Sequence, residues 1–185
     1  MSDQVQVRLS GAGGQGLITA GVILAEAAML DGRNVVQTQT YGPEARLGSS
    51  KAEVIISSGV IAYPEVVVPD VLLCMSIEAA KKYAAKAQAG TLVILDSTCI
   101  GSDVQCGGRV VRLPITQTAI ETGTKVVANT VALSVMNTLG SLVSQDSLRQ
   151  AVSARVPSRF RELNERALAA GEELAKSAQA AVAGA

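Results

Sequence analysis

Histidine and tryptophan are both missing from this chain of 185 residues, and phenylalanine occurs once. With no imidazole available, none of the many serines and threonines has a partner to activate it as a nucleophile, so no catalytic residue is assigned. The three cysteines, Cys74, Cys99 and Cys106, show no C-x-x-C spacing. Iron–sulfur clusters want sets of four thiolates, and zinc wants compact Cys and His pairs, so no metal site is assigned either. An odd count without framework spacing fits a reducing cytoplasm. Cys74, inside an apolar run, reads as a small core hydrophobe. Aromatic residues at 2% leave no stacking platform for a single-stranded nucleic acid. Sixteen acidic residues against sixteen basic ones give no field to draw a nucleic acid or an anionic membrane surface. No charged-then-apolar leader opens the chain. The expected location is cytoplasmic.

What the chain has in quantity is Val, Ile, Leu and Ala. Its apolar content is 48% with positive mean hydropathy. The length is one domain's worth, enough to bury roughly 70% of the unfolded surface. So apolar a composition predicts that other subunits cover part of the surface. The longest uncharged run, Val126 to Gln145, reaches the length of a membrane span. Asn129, Thr130, Ser134, Asn137, Thr138, Ser141 and Ser144 interrupt it, and Val127, Val131, Val135, Leu139 and Leu142 line the other side. The pattern predicts an amphipathic helix whose small-residue side lets a neighbouring helix approach, in this chain or another.

The chain is organised around Gly11-Ala12-Gly13-Gly14-Gln15-Gly16. Before it, Val5 to Leu9 alternates apolar and polar as a short strand does. After it, Leu17, Ala20, Gly21, Leu24, Ala27 and Ala28 recur at helical spacing, and Gly32 closes that helix. Glycines on a strand-to-helix turn let backbone N–H groups approach a phosphate at the positive end of a helix dipole. Gly11, Gly13 and Gly16 fit the G-x-G-x-x-G pattern. A nicotinamide site also wants a carboxylate about 20 residues on, at the end of the second strand, and Val35 to Tyr41 offers none. A second reading is that the glycines serve only a tight turn and close packing.

Further along, Ala52 to Ser57 predicts a third strand, and Pro64 bars the next stretch from a central strand position. Val71 to Met75 and Leu92 to Leu95 are continuous and apolar, as strands buried on both faces are. A helix is predicted from Ile77 to Ala89, stopped by Gly90. A short strand follows at Val110 to Leu113, then a helix from Thr116 to near Gly123. Helices at 126–143 and 146–155 come next, and a last one over about 158–182 with Phe160, Leu163, Ala167, Leu174 and Ala178 on one side. The alternation predicts an α/β fold: a doubly wound, mainly parallel sheet with helices on both faces, in a single domain over residues 1–185. In such a fold ligands collect at the carboxyl ends of the strands. The loops after the first and second strands converge there, the second carrying Arg46, Ser49 and Ser50. Arg46 suits a phosphate through its planar fork, or an ion pair with Glu44 or Glu53. Asp96 reads as a cap for the turn after its strand, and Asn129 as a helix cap.

GAGGQG at 11–16, joined to VQTQTYGPEAR at 36–46, resembles the gamma subunit of the 2-oxoacid:ferredoxin oxidoreductases, most nearly the 2-oxoglutarate branch. The resemblance continues through Val71 to Ser76, Gly90 to Ser97 and Asn129 to Leu133, and departs at Leu47, where a second small residue is expected. It implies an enzyme that decarboxylates a 2-oxoacid on thiamine diphosphate, passes electrons through iron–sulfur clusters to ferredoxin, and releases the acyl group to coenzyme A. This chain shows no motif for thiamine diphosphate, its magnesium or a cluster, so the resemblance places all three on partner subunits: alpha, beta and, where present, delta. It leaves this chain helping to bind coenzyme A and docking the catalytic subunits. The expected binding residues are Gly11, Gly13, Gly14, Gln15 and Gly16 as the cradle, Arg46 and Ser49 as phosphate contacts, and Asn129 as a further contact. Two other readings stay open: an NAD(P)-dependent oxidoreductase, with Arg33 leaving room for NADP, and a purely structural subunit.

Overall fold

The computed structural model describes residues 4–41 and 49–183. Six strands form one sheet: β1 (Gln4–Ala12), β2 (Asn34–Tyr41), β3 (Ser49–Ser57), β4 (Val71–Cys74), β5 (Leu92–Asp96) and β6 (Arg109–Leu113). Their order is β2-β3-β1-β4-β5-β6. β4, β5 and β6 add to β1 in parallel, while β3 runs antiparallel to both neighbours, so five strands point one way and β3 alone opposes them. The sheet is therefore mainly parallel, as the alternation predicts. The reversal at β3 has a simple cause. Parallel neighbours need a crossover of a dozen residues or more, and only residues 42–48 separate β2 from β3.

The helices are α1 (Leu17–Leu30), α2 (Ile77–Tyr83), α3 (Ile115–Thr122), α4 (Ala128–Gly140), α5 (Gln145–Arg155) and α6 (Arg161–Ala183). Both faces of the sheet carry helix, unequally. On one, α1 packs on β1, β2 and β3, α4 touches β4, and α5 and α6 close over them. Leu24, Val131, Met136, Leu148 and Ala167 are fully buried in this core. On the other, α2 sets Ala79 and Ala80 against Leu72, Cys74, Val93 and Leu95. Cys74 is a core residue, and burial pushes its thiol up to about 12, so it stays protonated and inert.

Three predicted elements change. The 77–89 helix ends at Tyr83, passes through a 3₁₀ turn at Ala84–Lys86 and becomes extended at Ala87. The 126–143 helix is a 3₁₀ turn at Lys125–Val127 followed by α4, closed by Ser141 in the left-handed region at φ 51°. It is not amphipathic in place, because its polar side is buried as well as its apolar one. Thr130 Oγ1 donates to Asn164 Oδ1 at 2.7 Å, and Ser134 Oγ donates to the Leu168 carbonyl at 2.6 Å. The helix that the small residues admit is α6 of the same chain. Phe160 leaves the predicted apolar side of α6, lying in the 3₁₀ turn before it and 41% exposed. Among the described residues, no helix is long and apolar enough to cross a membrane.

Candidate functional site

The glycine segment leaves β1 at Ala12 and enters α1 at Leu17. Gly14 and Gly16 adopt φ of 85° and 74°, a left-handed path that L side chains rarely follow. The two glycines differ in surroundings. A Cβ on Gly14 meets nothing within 4 Å, whereas one on Gly16 falls 2.7 Å from Asn129 Nδ2. Gly11 is a packing residue, since a Cβ there falls 2.2 Å from Gln15 Oε1 and 2.7 Å from a methyl of Leu17. The packing reading of the glycines thus holds for Gly11. Gly14 is open, with its backbone path as the reason for glycine.

Gln15 spends its side chain on the fold. Its Oε1 accepts the Ala12 N–H at 2.7 Å and its Nε2 donates to the Met75 carbonyl at 2.9 Å, clipping the end of β1 to the end of β4. Its own N–H turns back to the Ala12 carbonyl at 3.3 Å. On the other side of β1, Ser49 and Ser50 pair with Ala12 and Gly11 in the strand register. The Ser50 hydroxyl donates to the Ala12 carbonyl at 3.3 Å. Ser49 therefore begins a strand beside the glycine loop, and the β2–β3 connection returns to the sheet next to that loop. Arg46 lies outside the described residues. Of its two alternative ion-pair partners, Glu53 accepts from Arg8 and Lys51, both at 2.7 Å.

Asn129 stands two residues past the N-cap of α4, at Val127, so it is not the cap of that helix. Its Nδ2 donates to the Gly16 carbonyl at 3.4 Å and its Oδ1 accepts the Thr130 N–H at 2.9 Å. It joins the starts of α1 and α4. Between them opens a cavity of about 570 Å³ lined by Gly13, Gly14, Gly16, Lys125, Val126 and Asn129, with Ala12, Gln15, Thr116 and Ala128 completing the wall. Neither α1 nor α4 has a side-chain cap or an acidic residue in its first turn. The start of α1 has no side-chain cap, and among the described residues the wall carries one lysine and no carboxylate, features that suit an anion. The sequence reading brought Gly13, Gly14, Gln15, Gly16 and Asn129 to this cavity. It missed Lys125, Val126 and Thr116, whose approach depends on chain folding more than a hundred residues from the loop.

Behind Thr116 the chemistry is closed. Asp96, fully buried at the end of β5, accepts the Thr116 hydroxyl at 2.5 Å, the Thr116 N–H at 3.2 Å and the Thr98 N–H at 3.1 Å. It caps its turn, as expected, and also ties down the start of α3. Beside it, burial first and then the Asp96 charge push the Cys99 thiol up. Cys99 is therefore no activated nucleophile. Among the described residues, no group of three or more His, Cys, Asp and Glu is placed to hold a metal ion.

A family model described as pyruvate ferredoxin/flavodoxin oxidoreductase matches residues 6–174. The chain is 42% identical over 175 residues to the 2-oxoglutarate synthase subunit KorC of Methanocaldococcus jannaschii, covering 92% of this chain and 94% of that protein. Among solved structures it is similar to the gamma subunit of keto/oxoacid ferredoxin oxidoreductase from Geobacter sulfurreducens PCA. That match has a TM-score of 0.85 at 42% identity, over 95% of this chain and 98% of the other. It is also similar to 2-oxoglutarate:ferredoxin oxidoreductase from Magnetococcus marinus, solved with 2-oxoglutarate, coenzyme A and succinyl-CoA bound. There the TM-score is 0.85 at 25% identity, over 94% of this chain and 31% of that longer one.

Proposed function

The chain belongs to the pyruvate ferredoxin/flavodoxin oxidoreductase family, and we propose that it serves a 2-oxoglutarate-type complex as the gamma subunit that binds part of coenzyme A. The reaction of that complex converts 2-oxoacid, coenzyme A and oxidised ferredoxin to acyl-CoA, carbon dioxide and reduced ferredoxin. Thiamine diphosphate, magnesium and the iron–sulfur clusters belong on the partner subunits, as does the chemistry of decarboxylation. This chain contributes a wall that holds the thiol donor, and it works only in the assembly.

One observation carries the reading: the glycine loop opens, at Gly14, into a cavity whose wall combines the uncapped start of α1 with one lysine and, among the described residues, no acidic side chain. Backbone N–H groups in such a place suit the phosphates of coenzyme A. Gly13, Gly14 and Gly16 form the cradle, and Asn129 holds the Gly16 end of it. Gly11 and Gln15 shape the loop from behind. Arg46 and Ser49, from the connection that re-enters the sheet beside the loop, are the proposed further phosphate contacts.

The test places a charge where there is room for one. In the assembled complex Gly14→Asp sets a carboxylate in the cradle, while Gly14→Asn adds the same volume without charge, and both residues tolerate a left-handed backbone. The expected result is that the Asp variant raises the KM for coenzyme A at least about tenfold, whereas the Asn variant stays within a few-fold of wild type, a tenfold change being about 1.4 kcal/mol. Equal and small effects of both would leave the glycines a packing role and the chain a structural subunit.

A further inference from the structure

Resting on that reading, we propose that Lys125 is a further binding contact, holding a phosphate group of coenzyme A from the part of the cavity wall that the turn before α4 supplies. Four observations meet here. Lys125 lines the same cavity as Gly13, Gly14 and Gly16, but arrives from the 3₁₀ turn that precedes α4. Its charge is unspent: among the described residues no carboxylate forms an ion pair with it, although Lys51 and Lys176 are both paired. Its backbone is fixed, because Thr124 caps the turn through its hydroxyl, accepting the Val126 N–H at 3.3 Å, and its carbonyl accepts the Val127 N–H at 3.3 Å. Finally, the Asp96 carboxylate, which would otherwise compete for a cation at this wall, is buried and occupied by the Thr116 and Thr98 donors.

Coenzyme A carries two separate phosphate centres, the diphosphate and the ribose phosphate. A row of backbone amides takes one anionic centre, and a flexible ammonium on the wall of the same cavity takes another. Lysine suits this task, being a compact point charge with three donors that needs no planar fork. The neighbour Val126 is 81% exposed at the same wall and offers an apolar surface to the uncharged part of the ligand.

The experiment uses the assembled complex carrying Lys125→Ala, Lys125→Arg or Lys125→Glu, with Gly14→Asp in parallel. Direct calorimetric titration with coenzyme A is the first readout, and separate KM values for coenzyme A and 2-oxoglutarate the second. The Ala variant is expected to weaken coenzyme A binding about fivefold to tenfold and to flatten its salt dependence, because one screened charge pair is lost. Turnover at saturating coenzyme A and the KM for 2-oxoglutarate stay unchanged. The Arg variant restores most of the affinity, and the Glu variant loses more than Ala does. Failure of Lys125→Arg to outbind Lys125→Ala overturns the proposal, because a phosphate contact tolerates either cation. A Lys125→Ala complex that binds coenzyme A as wild type does, while Gly14→Asp weakens it, also overturns the role of Lys125 but leaves the cradle standing. Unchanged binding in both variants removes the cradle as well. A shift confined to the KM for 2-oxoglutarate would assign the lysine to the oxoacid carboxylates, against this proposal.

Discussion

Over β1 and β3 the sheet turns Val7, Leu9, Ala52, Val54 and Ile56 towards α1, and turns Arg8, Lys51 and Glu53 the other way. The same two strands thus build two different kinds of interior. Towards the helices the contacts are apolar and shape-matched, and α1, α4, α5 and α6 bury them in two layers. On the face that α2 covers only at its edge, a single glutamate, 9% exposed at its side chain, answers two cations. Arg8 also donates to the Val66 carbonyl at 2.7 Å and lies 5.2 Å from the centre of the Tyr83 ring. The segment over this half of the sheet leaves Val60, Tyr63 and Val67 exposed. The lesson is that the helical side holds the domain together, while the charged side is held in register by a few directional contacts.

Breaking the helical side costs most. Leu24 of α1 is fully buried in the core on this side. Leu24→Ala removes its transfer energy and leaves a cavity, for an expected loss of about 3 kcal/mol in denaturant unfolding. The charged side yields less. Glu53→Gln leaves Arg8 and Lys51 without their counter-ion at positions that are 14% and 23% exposed at the side chain. The expected cost is about 2 kcal/mol, below that of a fully buried pair because solvent reaches both cations. A double-mutant cycle sharpens the comparison. Arg8→Met together with Glu53→Gln should cost less than the sum of the two single changes, whereas Leu24→Ala and Glu53→Gln, on opposite faces, should add.

The same contrast decides what could be read from the sequence. Val71 to Met75 and Leu92 to Leu95 declared themselves, because strands buried on both faces have no polar alternation to confuse them. The antiparallel course of β3 was hidden, since alternation does not record direction. That a helix would pack on the small-residue side of α4 was legible, but not which one: α6 presents Asn164 and the Leu168 carbonyl from 34 residues away. At the site, glycine spacing located the loop and its helix, but the separate duties of Gly11, Gln15 and Gly14 needed coordinates. Lys125 was invisible for the same reason as α6: no local pattern says which distant turn will face a given loop.

The smallest expected effect lies outside both faces, where α1 hands over to α5. Asp31 Oδ1 accepts the hydroxyls of Ser144 and Ser147 at 2.7 and 2.6 Å, and its Oδ2 accepts the Ser144 N–H at 2.6 Å. Burial alone would raise its pKa, but the Ser147 and Ser144 hydrogen bonds and nearby Arg33 outweigh it, so the carboxyl titrates below its ordinary range. A folded-state pKa below the unfolded one means that this stabilisation is complete above the ordinary carboxylate value and disappears as the pH falls through the lowered one. Asp31→Asn keeps the shape and removes the charge. Because the group is exposed, the loss at neutral pH should stay under about 1 kcal/mol. The informative quantity is the slope: wild type should lose stability on acidification more steeply than the variant, and the two should converge below the lowered pKa. Parallel melting curves at neutral and acid pH that keep a constant separation would show that Asp31 supports the α1–α5 junction by packing alone.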